Sequence, residues 1–114
     1  MCNSELRSFQ KRLWDFRMRR VHLAAISVDP PGINKELARK MGFTYPLLSD
    51  ESAEVIRRYD VLHPGAGPKH TDIARPAEFY IDSGGIVQWV NLTGNIAVRA
   101  RPEEALRAID AARQ

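Results

Sequence analysis

Cys2 is the one cysteine in a chain of 114 residues, and it stands where a helix should begin. Leu6, Phe9, Leu13 and Phe16 come after it at intervals of three and four, a spacing that predicts an amphipathic helix. A thiol at a helix N-terminus lies near unpaired backbone N–H groups and the positive end of the macrodipole, and both favour the thiolate. The thiolate is the nucleophile, so this placement points to redox chemistry. The alternative use of a lone cysteine is as a small buried hydrophobe or part of an unordered terminus. His22, His63, His70 and the pair His70/Asp72 match no standard metal-ligand spacing. They read as structural or solvated histidines, and no metal or cofactor is expected.

The elements that must position these residues can be read from periodicity. Val21 to Val28 is a near-continuous apolar run rich in β-branched residues, which predicts a buried strand. Asp29-Pro30-Pro31-Gly32 punctuates it. Ile33, Leu37 and Met41 then recur every fourth residue as a helical stripe, with Gly42 as its C-terminal cap. Phe43 to Leu48 is extended and carries Pro46, so it reads as a connector or a short edge piece. Ser49-Asp50 offers an N-cap for a short helix through Val55, Ile56 and Tyr59. Residues 62–74, with two prolines and two glycines, read as a loop. Glu78–Ile81 and Ile86–Val90 read as strands joined at Asp82-Ser83-Gly84-Gly85 into a hairpin. Pro102 opens a last helix whose inner stripe is Ala105, Leu106, Ile109 and Ala112. The order implies one α/β domain over residues 1–114, with one parallel element followed by an antiparallel pair in a mixed sheet.

Composition excludes several classes. The hydrophobic share of 44% and charged share of 27% are those of an ordinary globular domain. No apolar run approaches the roughly 18 residues of a membrane span, so no membrane partner is expected. The first twenty residues are charged throughout and lack the apolar centre of a signal peptide. With a single cysteine, a reducing cytoplasm is the expected location. The formal charge of +3 is gathered in the first helix, where Arg7, Lys11, Arg12, Arg17, Arg19 and Arg20 are relieved only by Asp15. That segment reads as a solvated face and not as a nucleic-acid surface, because no succession of aromatics accompanies the cations. Trp14 and Trp89 read as packing residues.

Five segments together resemble a known family. Cys2-Asn3-Ser4-Glu5-Leu6 is similar to the opening of the first long helix of peroxiredoxins and related AhpC/TSA-type redoxins. Ile26-Ser27-Val28-Asp29 resembles their second-strand segment, and Tyr45-Pro46-Leu47-Leu48-Ser49-Asp50 their connector. Arg57-Arg58-Tyr59-Asp60-Val61 resembles the helix end after it. Ala74 to Asp82, with Arg75 ahead of Phe79-Tyr80-Ile81, resembles the strand before the glycine turn.

The resemblance implies a thioredoxin-like fold, a mixed β-sheet flanked by helices, and a thiol-dependent peroxidase acting on hydrogen peroxide or alkyl hydroperoxides. It implies Cys2 as the peroxidatic cysteine and Arg75 as the guanidinium beside it. Arginine is a permanent cation with a planar fork of donors, suited to favouring a thiolate and polarising a peroxide. Glu5, one turn after Cys2, could orient Arg75 by a charge-assisted hydrogen bond. Recycling would need an external thiol reductant of thioredoxin or glutathione type. The strand and turn that precede the cysteine in the family have no counterpart here, so the domain is expected to be N-terminally truncated. The gap is expected to be closed by pairing of the two flanking strands or by a neighbouring chain, most simply in a homodimer. Two further readings stay open: a monothiol thiol–disulfide oxidoreductase, and a non-catalytic scaffold serving as a dimerisation or interaction module.

Overall fold

The computed structural model describes residues 3–92 and 101–114. The first predicted helix forms as two pieces, α1 (Asn3–Lys11) and α2 (Leu13–Met18), separated at Arg12. The inner stripe is as expected: Leu6, Leu13 and Phe16 are buried. The Phe9 and Phe16 rings stack across the break at 5.7 Å between centroids.

The first strand is shorter than the apolar run that encodes it. Only Ala25–Ser27 enters a ladder, as β1. Burial alternates along the run, with His22, Ala24 and Ile26 exposed and Val21, Leu23 and Ala25 half-buried. The expected fully buried strand is therefore a strand covered on one face, since a period of two is the signature of a half-buried strand. α3 (Pro31–Met41) has proline at its first position and ends on Gly42, whose φ of 74° is the left-handed cap that glycine adopts without a Cβ clash. Leu37 and Met41 of the predicted stripe pack inward, but in the first turn Asn34 is buried in place of Ile33, which is 57% exposed. Three bonds explain this. Asn34 Nδ2 donates to Ser27 Oγ at 3.2 Å, to the Leu48 carbonyl at 3.3 Å and to Ser49 Oγ at 3.0 Å. A buried amide so satisfied fastens α3 to the strands below it.

β2 (Leu47–Ser49) pairs parallel to β1, with Ala25 opposite Leu47 and Ser27 opposite Ser49. The proline-bearing segment is thus an edge strand. α4 (Glu54–Arg58) starts later than Ser49-Asp50 suggested, because Ala53 takes the cap position in a left-handed conformation. Asp50 still serves the helix: its Oδ2 accepts the Ile56 N–H at 2.8 Å. The predicted loop contains a small antiparallel ladder of β3 (Leu62–His63) and β4 (Ile73–Ala74), bridged by a tight turn at Pro68–His70. β5 (Ala77–Ile81) and β6 (Val87–Leu92) form the expected hairpin, with Gly85 at φ 82° in its turn. α5 (Pro102–Ala112) buries Pro102, Ala105, Leu106 and Ile109, while Ala112 is exposed.

Three apolar clusters hold these elements. Leu6, Leu13, Phe43 and Tyr45 join α1 and α2 to the chain entering β2. Phe16 packs with Ala105, Leu106 and Ile109 of α5, and Leu23, Tyr80 and Trp89 lie against them. Ala53, Ile56 and Val61 form the third, with Val28 and Phe79 against it.

The expected mixed sheet is divided. Among the described residues β1 pairs only with β2, β3 only with β4, and β5 only with β6. The anticipated direct pairing of β1 with β5 does not occur. Both strands are anchored through side chains, Leu23 with Tyr80 in one cluster and Val28 with Phe79 in another, and no backbone ladder joins them. In a parallel ladder alternate residues bond to the same side; Ala25 N–H donates to Pro46 and Ser27 accepts from Asp50, so the Ile26 backbone groups face away from β2. Trp14, expected to pack, is instead 69% exposed on the outer side of α2.

Candidate active site

The site the sequence points to begins at the N-terminal end of α1. Cys2 lies outside the described residues. Helix α1, directly after it, is held firmly by the segment entering β2. Tyr45 is buried, and its hydroxyl donates to the Leu6 carbonyl at 2.7 Å. Gln10 and Thr44 exchange two bonds: Gln10 Nε2 donates to Thr44 Oγ1 and Thr44 N–H donates to Gln10 Oε1, each at 2.9 Å. The strap exists because Phe43 and Tyr45 point inward at alternate positions, leaving Thr44 to face α1's polar edge.

Glu5 is half-buried in the first turn of α1, where a carboxylate complements the helix dipole. Its charge is felt at Tyr45. Burial first, and then the Glu5 carboxylate, push the Tyr45 hydroxyl up to about 12. Both act by disfavouring the phenolate. Tyr45 is the residue that sequence reasoning misses, since it enters there only as one position of a motif. A tyrosine at an alternating inward position beside a proline is nevertheless a recognisable signal for a buried hydroxyl with a partner.

Arg75 sits between β4 and β5. Its backbone N–H donates to the Val61 carbonyl at 2.6 Å, which extends the β3–β4 ladder by one residue, and Pro76 then ends that pairing. The residue is half-buried. The ion pairs given among the described residues join Arg12 to Asp15 and Glu103, Arg19 to Asp110, Arg39 to Glu36 and Arg58 to Glu54. Among the described residues no group of three histidine, cysteine, aspartate or glutamate side chains could hold a metal. His63 Nδ1 is buried without a hydrogen-bond partner among the described residues. Likewise, among the described residues no helix is long and apolar enough to cross a membrane.

Comparison with known proteins gives one consistent result. The model of the AhpC/TSA family matches residues 1–90. Alkyl hydroperoxide reductase E of Mycobacterium tuberculosis is 32% identical over 115 residues, covering 97% of this chain and 72% of that protein. A peroxiredoxin of Thermotoga maritima is 30% identical over 116 residues, covering 96% of this chain and 48% of that protein. Among solved structures, the reduced 2-Cys peroxiredoxin of Plasmodium vivax superposes with a TM-score of 0.81 at 31% identity, over 96% of this chain and 57% of that one. Reduced Prx3 of Vibrio vulnificus in complex with hydrogen peroxide superposes at 0.85, with 15% identity, over 96% of this chain and 69% of that one. The chain spans about half to seven-tenths of the proteins it resembles. The fold is therefore thioredoxin-like and peroxiredoxin-type, with helices against a divided sheet, and the chain belongs to the AhpC/TSA family.

Proposed function

We propose that this protein is a thiol-dependent peroxidase that reduces hydrogen peroxide or alkyl hydroperoxides through Cys2. The observation that carries the reading is the family match over residues 1–90, which takes in the one cysteine at its start and also includes Arg75. The Cys2 thiolate attacks the terminal oxygen of the peroxide. An S–O bond forms, the O–O bond breaks, and the leaving alkoxide or hydroxide takes up a proton, so that the cysteine becomes a sulfenic acid. Arg75 acts as the cation that favours the thiolate and stabilises the charge developing on the departing oxygen. Glu5 is a positioning residue that orients Arg75 by a charge-assisted hydrogen bond. One external thiol then displaces water from the sulfenic acid to give a mixed disulfide. A second releases Cys2 and leaves as the external disulfide. Because the sequence holds one cysteine, the reductant is a separate thiol of thioredoxin or glutathione type. A reducing cytoplasm suits that cycle, and the working form is a homodimer.

Peroxide consumption by the intact chain with dithiothreitol tests the assignment. Cys2→Ser should fall to the uncatalysed rate, and Arg75→Ala should lower kcat/KM by about 10²-fold or more, the scale for removing one group that stabilises developing charge. Wild type and Cys2→Ser consuming peroxide at equal rates would remove the enzymatic reading. The divided sheet favours a second reading, a non-catalytic scaffold, because β1 and β5 have no backbone ladder between them. Mass spectrometry after mild peroxide treatment separates the two: sulfenic or sulfinic acid on Cys2 supports the peroxidase, an unreacted thiol the scaffold. A stable mixed disulfide with glutathione supports monothiol exchange.

A further inference from the structure

We propose that the outer stripe of α1 and α2, formed by Arg7, Lys11, Trp14 and Met18 with Arg17 at its margin, is a docking surface for an acidic segment of a partner protein. Arg7 and Lys11 stand one turn apart on α1, and Trp14 and Met18 one turn apart on α2, and all four are exposed. The opposite face carries Leu6, Leu13 and Phe16 into the core, which fixes this stripe outward. Trp14 and Met18 are 69% and 67% exposed, the most exposed large apolar side chains among the described residues, and stand one turn apart. Trp, Met and Arg are the residue types enriched in protein interfaces and at their energetic centres.

Charge selects the occupant. Two cations of this region are already neutralised by α5: Arg12 meets Asp15 and Glu103, and Arg19 forms a two-point pair with Asp110. Arg7, Lys11 and Arg17 are left without a carboxylate partner among the described residues. An acidic chain with an apolar side chain at its centre satisfies both features of the stripe. A second copy of this protein is a poorer match, because each copy carries a net charge of +3 and like charges repel. A bilayer would find two apolar side chains to bury, the main apolar face of the helix being turned into the core. A single-stranded nucleic acid would find one aromatic where stacking needs several.

Fluorescence anisotropy of the intact chain with a fluorescein-labelled peptide of about a dozen residues, mostly glutamate with leucine at every third position, tests this at low salt where charge pairing is weakly screened. Arg7→Glu/Lys11→Glu should weaken binding by about tenfold or more, as reversal of paired charges does. Trp14→Ser should weaken it by about fivefold or more, as loss of an interface tryptophan does. Lys69→Glu, far along the chain and exposed, should leave it unchanged. If Trp14→Ser perturbs the far-ultraviolet dichroism, Met18→Ser reads the same face. The proposal fails if the wild type does not bind the peptide, or if binding depends on the cations and not on Trp14 or Met18. It fails equally if an oligothymidylate or phosphatidylglycerol vesicles bind this stripe more tightly than the peptide.

Discussion

Tyr45 shows how much of a helix's position can rest on one side chain. Its hydroxyl donates to the Leu6 carbonyl, and burial with the nearby Glu5 charge raises its pKa to about 12. The unfolded value is about 10, so the folded state favours the neutral phenol. The resulting stability is complete below about pH 10 and is lost as pH rises from there through the folded value. Tyr45→Phe should cost about 1 kcal/mol at neutral pH for the lost hydrogen bond, yet show a smaller further loss between about pH 8 and 11 than the wild type. Denaturant midpoints of both proteins at the two pH values check this, and parallel curves would remove Tyr45 as the titrating group. Arg75 is the contrasting case, a half-buried residue whose backbone N–H is fixed to the Val61 carbonyl.

Elements are set by devices that local pattern only partly announces. Asp50 precedes α4 by four residues and still supplies the acceptor for its Ile56 amide. Asp50→Ala leaves that buried N–H unpaired and should cost about 1–2 kcal/mol, whereas Asp50→Asn, which keeps an acceptor oxygen, should cost less. Thermal unfolding of the two variants gives the comparison. In the β5–β6 turn, the Asp82 carboxylate is held below its ordinary range by the Ile86 backbone N–H first, then by Gln88 and the Gly84 N–H. Its folded pKa is depressed, so its contribution is present above the unfolded value and lost as pH falls through the folded one. Acidification should therefore loosen the hairpin turn. Amide resonances of Gly84 and Ile86 moving together at the acid end check this, and their invariance would count against it. The α2–α5 contact combines Phe16 in the core with Arg12–Glu103 and Arg19–Asp110 at its rim. Rim pairs so exposed mainly fix register.

At the scale of the whole molecule, the division of the sheet dominates. β1 and β5 carry unpaired edges among the described residues, and Ile26, Leu48, Ile81, Val90 and Leu92 are exposed large apolar residues on the strands. Such edges associate in water, which is why stable proteins cover or blunt them. Light scattering from micromolar to higher concentrations should show a dimer or larger species, and a well-behaved monomer throughout would count against the homodimer. The amino-acid sequence by itself determined the order of elements, the inner stripe of α1 and α2, the Gly42 cap, the β5–β6 hairpin and the start of α5. These depend on spacing within a few residues, which propensity and periodicity report directly. The family followed from the order of short motifs, and the position of Arg75 beside Cys2 remains the proposal that those motifs motivate. Only the tertiary structure decided that Asn34 faces inward in place of Ile33, that Trp14 faces water, and which cations are neutralised. Each of those outcomes depends on partners far away in sequence, such as Glu103 for Arg12 and Ser49 for Asn34, whose proximity no local pattern encodes. The division between β1 and β5 belongs to the same class, because a strand's pairing is a property of what lies beside it in space.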